Sequence, residues 1–431
     1  FLGGGHTITM NIGDWGNQGT ALFSYINGAT IKNLTVAGTI TASQYHTAGI
    51  VGFADGTNLI EGCTVTAQLN IRSDYAGGIV GHGRESNTTI KDCIFAGTIA
   101  GLDANRGSVA GFWGWCGNGS YTIDNCMERG TYSRISSFHP ISLQGDKGTV
   151  SRCYYLNPVR GIIATTSGAY QVSSEPIEGE VSKQLRLLDG KTYYVPCLVS
   201  NIEEFYELAQ GGTLSITPAA KLPDGTQLSS GTDYTVALDG GSAAASTASV
   251  TTKGEHTLVV AGTGSCSGSK SFSFRAIDPI EGEGTAEKPY LIRNTDEWEL
   301  FALLVNRGTN DFSGQYVKLG TDLSVTTMVG VSANTPFKGT FLGDGKTLTS
   351  NIGSASAPYG EEFCAPFRYV NGATIRNLKV AGNIYSNRMR AAGLVGSTAG
   401  TTTISDCQVS TVIHSSTGGD GSHDGIVGMP T

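Results

Sequence analysis

The sequence predicts an all-β chain, with right-handed parallel β-helix modules of about 30 residues per coil separated by a small β-sandwich. Three observations carry this. The first is a short repeat. Ala48-Gly49-Ile50-Val51-Gly52, followed by Cys63, returns as Gly77-Gly78-Ile79-Val80-Gly81 with Cys93, then as Ser108-Val109-Ala110-Gly111 with Cys126. A weaker pass, Ile141-Ser142-Leu143-Gln144-Gly145, leads to Cys153, so the cysteines step by 30, 33 and 27 residues. The second is the two-residue alternation of runs such as Ile31-Lys32-Asn33-Leu34-Thr35-Val36, with no helical period long enough for a βαβ crossover. The third is a change of pattern over 213–277, where alternating strands are separated by Gly and Pro turns.

One such coil cannot bury an apolar face alone, so neighbouring coils must stack. Leu34, Cys63, Cys93, Cys126 and Cys153 share one register, as do Leu378 and Cys407. A position that accepts Leu or Cys is a packing position. Thiols on adjacent coils would lie near the strand spacing of about 4.8 Å. That distance permits disulfides but strains their geometry, so free thiols are favoured. No C-x-x-C or Cys/His pair has metal-ligand spacing, and neither metal nor cofactor is expected.

In chain order, residues 1–165 form the first β-helix and 166–212 a mixed connection. The run Asn201–Leu208 within that connection has helical spacing and stops at Gly211-Gly212. Expected strands of the sandwich are Leu214-Ser215-Ile216, Tyr234–Leu238, Thr257–Val260 and Ser271–Phe274. A linker follows over 278–288. The second β-helix spans 289–431 and opens with a helix over Thr295–Asn306, N-capped by Thr295, that covers its end. A longer repeat contains the short one. Phe1-Leu2-Gly3 matches Phe341-Leu342-Gly343, and Ile26–Gly38 matches Val370–Gly382, at offsets of 340 and then 344 residues. The chain therefore reads as a piece of a tandem array, opening inside one module and ending inside the next.

Two resemblances become specific at this point. Gly393-Leu394-Val395-Gly396 with Asp406-Cys407 resembles the GLUG repeat of bacterial cell-surface proteins. Ser230–Val236, Lys253-Gly254 and Gly262–Phe274 resemble the immunoglobulin-like modules of bacterial surface proteins, which makes the sandwich immunoglobulin-like. Both resemblances imply an extracellular protein on a bacterial surface. Repeat motifs speak to fold more than to activity.

Composition narrows the partners. Of 431 residues 61 are Gly, 15% are charged and the net charge is −8, without a basic stripe for nucleic acid. No apolar run is long enough to span a bilayer. No HExxH, nucleophile elbow or P-loop is present. Asp92 and Asp124 recur just before the ladder cysteine, as Asp406 does. A turn role, with the carboxylate bonding backbone N–H groups, outweighs paired-acid hydrolysis. His46 and His423 both precede a Gly-Ile-Val-Gly and mark a shared corner. Tyr45, Tyr75, Phe112, Trp113 and Trp115 form a candidate exposed aromatic patch, with a packed corner as the competing reading.

The expected function is a non-enzymatic structural or adhesive repeat protein forming a stalk or fibre, with neighbouring modules as its first partners. The alternative is a carbohydrate-binding or carbohydrate-active β-helix, its candidate ligand contacts being Trp113, Trp115, Asp103 and Arg106, facing a host glycan or extracellular-matrix ligand. An ice-binding β-helix would need Thr-x-Thr on every coil, and the later coils drop it.

Overall fold

The computed structural model describes residues 1–103, 107–158, 167–415 and 423–430. The chain is all-β, 51% strand and 4% helix, with a β-solenoid of about 14 turns about 29 residues apart. Contacts divide it into two compact units, 1–201 with 217–248 and 259–271, and 202–216 with 249–258 and 272–431.

In the first unit the coils stack in parallel. Thr7–Trp15 pairs with Thr35–Ala42, which pairs with Thr64–Val65 and Gln68–Ile71, and the ladder continues to Cys153–Tyr155 and Ala169–Gln171. It therefore runs a few residues past the expected boundary at 165. A second stack joins Phe23–Asn27, Val51–Glu61, Val80–Lys91, Ser120–Asp124 and Gly148–Ser151. Like sits over like: Ile31 over Ile60, Ile90, Ile123 and Val150, and Ile40 over Leu69 and Ile99. These side chains are buried and make one continuous core. The exposed face of the same strands alternates charge. Lys32 meets Glu61 at 2.6 Å, and Glu61 is in register with Lys91, which is in register with Asp124. A slip of one coil would juxtapose like charges, so this ladder opposes misregistration.

The corner before the inner ladder is left-handed on every coil: Asn33, Gly62, Asp92, Asn125 and Arg152 have φ of 51°, 64°, 54°, 50° and 51°. Gly, Asn and Asp tolerate that region best. Arg152 has no such tolerance, and its side chain ion-pairs with Asp124. Asp92 and Asp406 thus take the expected turn role. The carboxylates' partners differ from expectation, because they bond side chains of the next coil rather than backbone. Asp92 accepts from Asn125 Nδ2 at 2.6 Å, and Asp124 from Ser151 Oγ at 2.7 Å and from Arg152.

The nine cysteines are free, and all but the half-buried Cys407 are buried. Each ladder thiol lies between two acceptors, the carbonyl two residues earlier at 3.1–3.4 Å and the isoleucine carbonyl one coil back. Cys63 reaches Ile31 at 3.8 Å, Cys93 Ile60 at 3.6 Å, Cys126 Ile90 at 3.7 Å and Cys153 Ile123 at 3.6 Å. Burial pushes the Cys126 thiol well up, which leaves it inert as a nucleophile.

The first unit also holds antiparallel strands. Ser182–Arg186 pairs with Thr192–Pro196 and Cys266–Ser267, and Leu198–Ser200 with Ala219–Lys221. Strands occur where the alternation placed them: Leu214–Ile216, Tyr234–Leu238, Gly254–Gly262 and Ser269–Ile277.

In the second unit, Tyr290–Ile292, Tyr316–Leu319, Thr340–Leu342, Thr374–Arg376 and Thr403–Ser405 stack in parallel. The helix Thr295–Asn306 follows the edge strand and buries Trp298, Phe301 and Val305 among Phe312, Phe337, Phe341 and Phe367. Its N-cap is Asn294, one residue before the expected Thr295. Asn294 Oδ1 accepts from Glu297 N at 2.9 Å, while Glu297 Oε2 accepts from Arg293 N at 2.5 Å. Replacing Asn294 with alanine should cost about 1 kcal/mol, read as a lower urea midpoint. An unchanged midpoint would show that aromatic packing alone holds the helix end.

The run 201–208 is not helical. Phe205–Glu207 is a strand pairing in parallel with Arg275–Ile277. Its helical spacing came from Ile202, Phe205, Tyr206 and Leu208. Phe and Tyr there prefer extended backbone once a partner strand offers a ladder.

Candidate ligand-binding face

The four residues expected to contact a ligand do not form one site. Trp113 is 0% exposed and packs against Tyr121 at 5.4 Å between ring centroids. It cannot touch a ligand. The reason lies in the repeat. Gly111-Phe112-Trp113-Gly114 occupies the place of Gly78-Ile79-Val80-Gly81, and Trp113 pairs in register with the inward Val80. Gly83 makes room for the indole, since a Cβ there would lie 2.2 Å from the Trp113 ring. Phe112 is buried with it. Asp103 is exposed and ion-pairs with Arg72, which also meets Asp14 at 3.3 Å. Arg106 lies outside the described residues. Trp115 alone of the four reaches an aromatic surface.

That surface comes from the residue after the second glycine of each Gly-Ile-Val-Gly. Phe53, His82 and Trp115 hold this position on successive coils, and Tyr25 precedes them in the same register. They point out of the solenoid as half-buried or exposed side chains. The neighbouring corner adds Tyr45, His46 and Tyr75, with His46 and Tyr75 held at φ of 68° and 63°. Trp115 lies against Tyr75 at 4.7 Å, Tyr75 against Tyr45 at 5.9 Å and against His46 at 6.0 Å, nearly parallel. His46 meets His82 at 4.3 Å and Phe53 at 5.4 Å. The rings therefore form one continuous ledge across three coils, to which Arg84, lying over both Phe53 and Tyr25, joins the ring of a fourth.

Its charges cancel. Arg84 Nη2 lies 2.7 Å from Asp55 and its guanidinium sits over Tyr25, whose hydroxyl donates to the same carboxylate. The Arg84 hydrogen bond first, then that of Tyr25, pulls the Asp55 carboxyl down to about 2. Burial, and then the charge of His82, lowers His46 to about 4. Burial, and then Arg84, lowers His82. Both imidazoles are thus neutral at pH 7, and the Nδ1 atom of each is buried without a protein partner. Among the described residues no group of three or more His, Cys, Asp or Glu is placed to hold a metal ion.

The fold does not require these rings. In the second unit the same register runs Tyr369, Ser397 and Met429. Sequence reading singled out Tyr45, Tyr75 and Trp115 and marked His46 as a corner residue, but missed that Phe53 and His82 belong to the same surface. The signal was present, because the residue after each Gly-Ile-Val-Gly sits on one line once the coils are superposed.

No family model matches the chain, and neither curated proteins nor solved structures yield a match. Among the described residues no helix is long and apolar enough to cross a membrane.

Proposed function

We propose that this chain is a non-enzymatic structural and adhesive segment of a tandem array on a bacterial surface, of the GLUG-repeat type with an immunoglobulin-like spacer, forming a stalk or fibre. The observation that carries this reading is that the long sequence repeat is also a structural repeat. Phe23–Asn27 and Thr30–Lys32 in one copy are Phe367–Asn371 and Thr374–Arg376 in the other. The left-handed positions recur too: Gly28 and Gly372 both at φ 65°, Asn33 and Asn377 at 51° and 54°, Gly56 and Gly400 at 66° and 59°. A segment that rebuilds the same coils 344 residues on is a building block. Repeating such a block adds length without new contacts to evolve, and its stability comes from neighbouring coils.

The carboxylates of the coil surfaces support a scaffold as well, being tied into ion pairs and corners. The alternative, a carbohydrate-binding β-helix, draws its support from the aromatic ledge and is compatible with an adhesive scaffold.

The test is surface labelling. Antibody raised against the chain should bind intact cells that produce it, and mild protease treatment of those cells should remove the signal. Labelling that requires cell lysis would overturn the extracellular reading.

A further inference from the structure

We infer that the ledge built by Tyr45, Tyr75, Trp115, His46, His82 and Phe53 is a binding site for an uncharged polysaccharide, laid across the coils with its sugar rings stacked on the aromatic faces. The inference rests on the adhesive reading above in one respect, that the first solenoid faces the surroundings of the cell.

Four features point to this ligand. The first is the kind of surface. Flat rings with polar edges suit the faces of pyranose rings, which present C–H groups to an aromatic plane and hydroxyls at their rim. The second is spacing. Successive coils advance by about 4.8 Å, close to the rise per sugar of an extended pyranose chain. A glycan running perpendicular to the strands would therefore meet a new ring at each coil, as at Tyr45–Tyr75 and at Phe53–His82, where centroids lie 5.9 and 5.5 Å apart.

The third is charge complementarity. Arg84 and Asp55 beside the ledge neutralise each other through the 2.7 Å ion pair, and the neighbouring charged residues in the chain, Asp74 and Glu85, are acidic. Single-stranded nucleic acid also stacks on aromatic platforms, but it needs unpaired cations along its backbone, and among the described residues the arginines nearest the ledge, Arg72 and Arg84, are both paired with aspartates. Acidic glycans meet the same objection. The fourth is that the rings are dispensable for folding. The equivalent line of the second unit carries Ser397 and Met429, so a solenoid of this type closes without them.

The ring edges supply the hydrogen bonds that orient a sugar. The Tyr25 phenol is fixed by Asp55 and Arg84 at one end of the ledge. The His46–His82 pair, its ring centroids 4.3 Å apart, sits at its middle, each neutral imidazole having Nε2 left to donate to or accept from a hydroxyl.

The test uses the purified full chain in affinity electrophoresis through gels containing neutral polysaccharides (xylan, mannan and a mixed-linkage β-glucan), with alginate and single-stranded DNA as acidic counterparts. At least one neutral polysaccharide should retard the chain, and raising the salt should not abolish the effect. Trp115→Ala and Tyr75→Ala should each weaken the retardation by about tenfold, while Trp15→Ala, an exposed indole on the Thr7–Trp15 strand, should leave it unchanged. Circular dichroism melting of the same variants separates loss of binding from loss of fold. Retardation by alginate or DNA alone, by nothing, or equally in the ledge variants would overturn the inference. Surface labelling fails or succeeds independently of this, so the scaffold and the ledge are judged apart.

Discussion

Replacing Trp113 with alanine should destabilise the first solenoid by about 3–5 kcal/mol. The indole is fully buried, lies against Tyr121 and fills the space that Gly83 leaves open on the preceding coil. The coils above and below are locked by in-register hydrogen bonds, so the void cannot collapse. The loss therefore combines the transfer term with a cavity term. Trp113→Phe should cost much less. The Trp113 Nε1–H is buried with no partner among the described residues, and phenylalanine removes that unsatisfied donor along with part of the volume. Trp115→Ala, two residues on, should change stability by less than about 1 kcal/mol, because its ring lies half outside. Urea unfolding followed by far-UV circular dichroism reads all three. A loss under about 1 kcal/mol for Trp113→Ala, or equal losses at 113 and 115, would remove the inward assignment of Trp113.

The second large effect is a pH dependence centred on Glu128. It occupies the ladder position held by Val65 and Phe95 on earlier coils and is 0% exposed. Oε1 accepts from Gly130 N at 2.7 Å, Tyr132 OH at 2.8 Å and Asn157 Nδ2 at 3.4 Å, while Oε2 has no partner among the described residues. Among the described residues no cation pairs with it, and the neighbouring Arg129 is engaged by Asp189 at 3.1 Å. Burial raises the carboxyl from 4.5 to about 7, against the pull of the hydrogen bonds from Tyr132, Gly130 and Asn157.

Between these values the unfolded chain releases the proton and the folded chain keeps it. Stability from this group is full below pH 4.5 and falls as pH rises to about 7, by about 3 kcal/mol in all. The histidines act on the other side. His139, lowered by burial from 6.5 to about 4, stays neutral while the unfolded chain takes up a proton, so its contribution falls as pH drops from 6.5 to 4. His46 behaves in the same way.

Because these limbs overlap, the informative quantity is the difference between Glu128→Gln and the parent chain. Glutamine keeps an acceptor for Gly130 and Tyr132 and does not ionise. The variant should gain about 3 kcal/mol on the parent between pH 4.5 and 7.5. Parallel stability curves for the two chains would show that Glu128 titrates normally.

Much of this architecture could be read before any coordinates. The recurring Gly-Ile-Val-Gly and the Leu/Cys register gave the coil length and the inner ladder, and the five free thiols of that register follow from a ladder in which Leu34 and Cys63 are interchangeable. The alternating runs over 213–277 located strands correctly. Two local readings failed where a neighbour decided the outcome. Phe205–Glu207 has helical spacing, and the partner strand Ser269–Ile277 makes it extended. Thr295 and Asn294 are both competent caps, and only the position of Glu297 selects Asn294.

The ligand face shows the limit most clearly. Chain order places Trp113 and Trp115 together, and aromatic content alone treats them alike. Stacking separates them, because one falls on the inward Val51–Val80 line and the other on the outward Phe53–His82 line. Residue identity and spacing were enough to specify a stacked β-solenoid built from duplicated modules, since periodicity is a property of one chain read along itself. Which rings face out together, which carboxyl lies buried without a cation and which corner residues share a surface depend on contacts between residues about one coil apart. Those contacts exist only after the coils have closed upon one another.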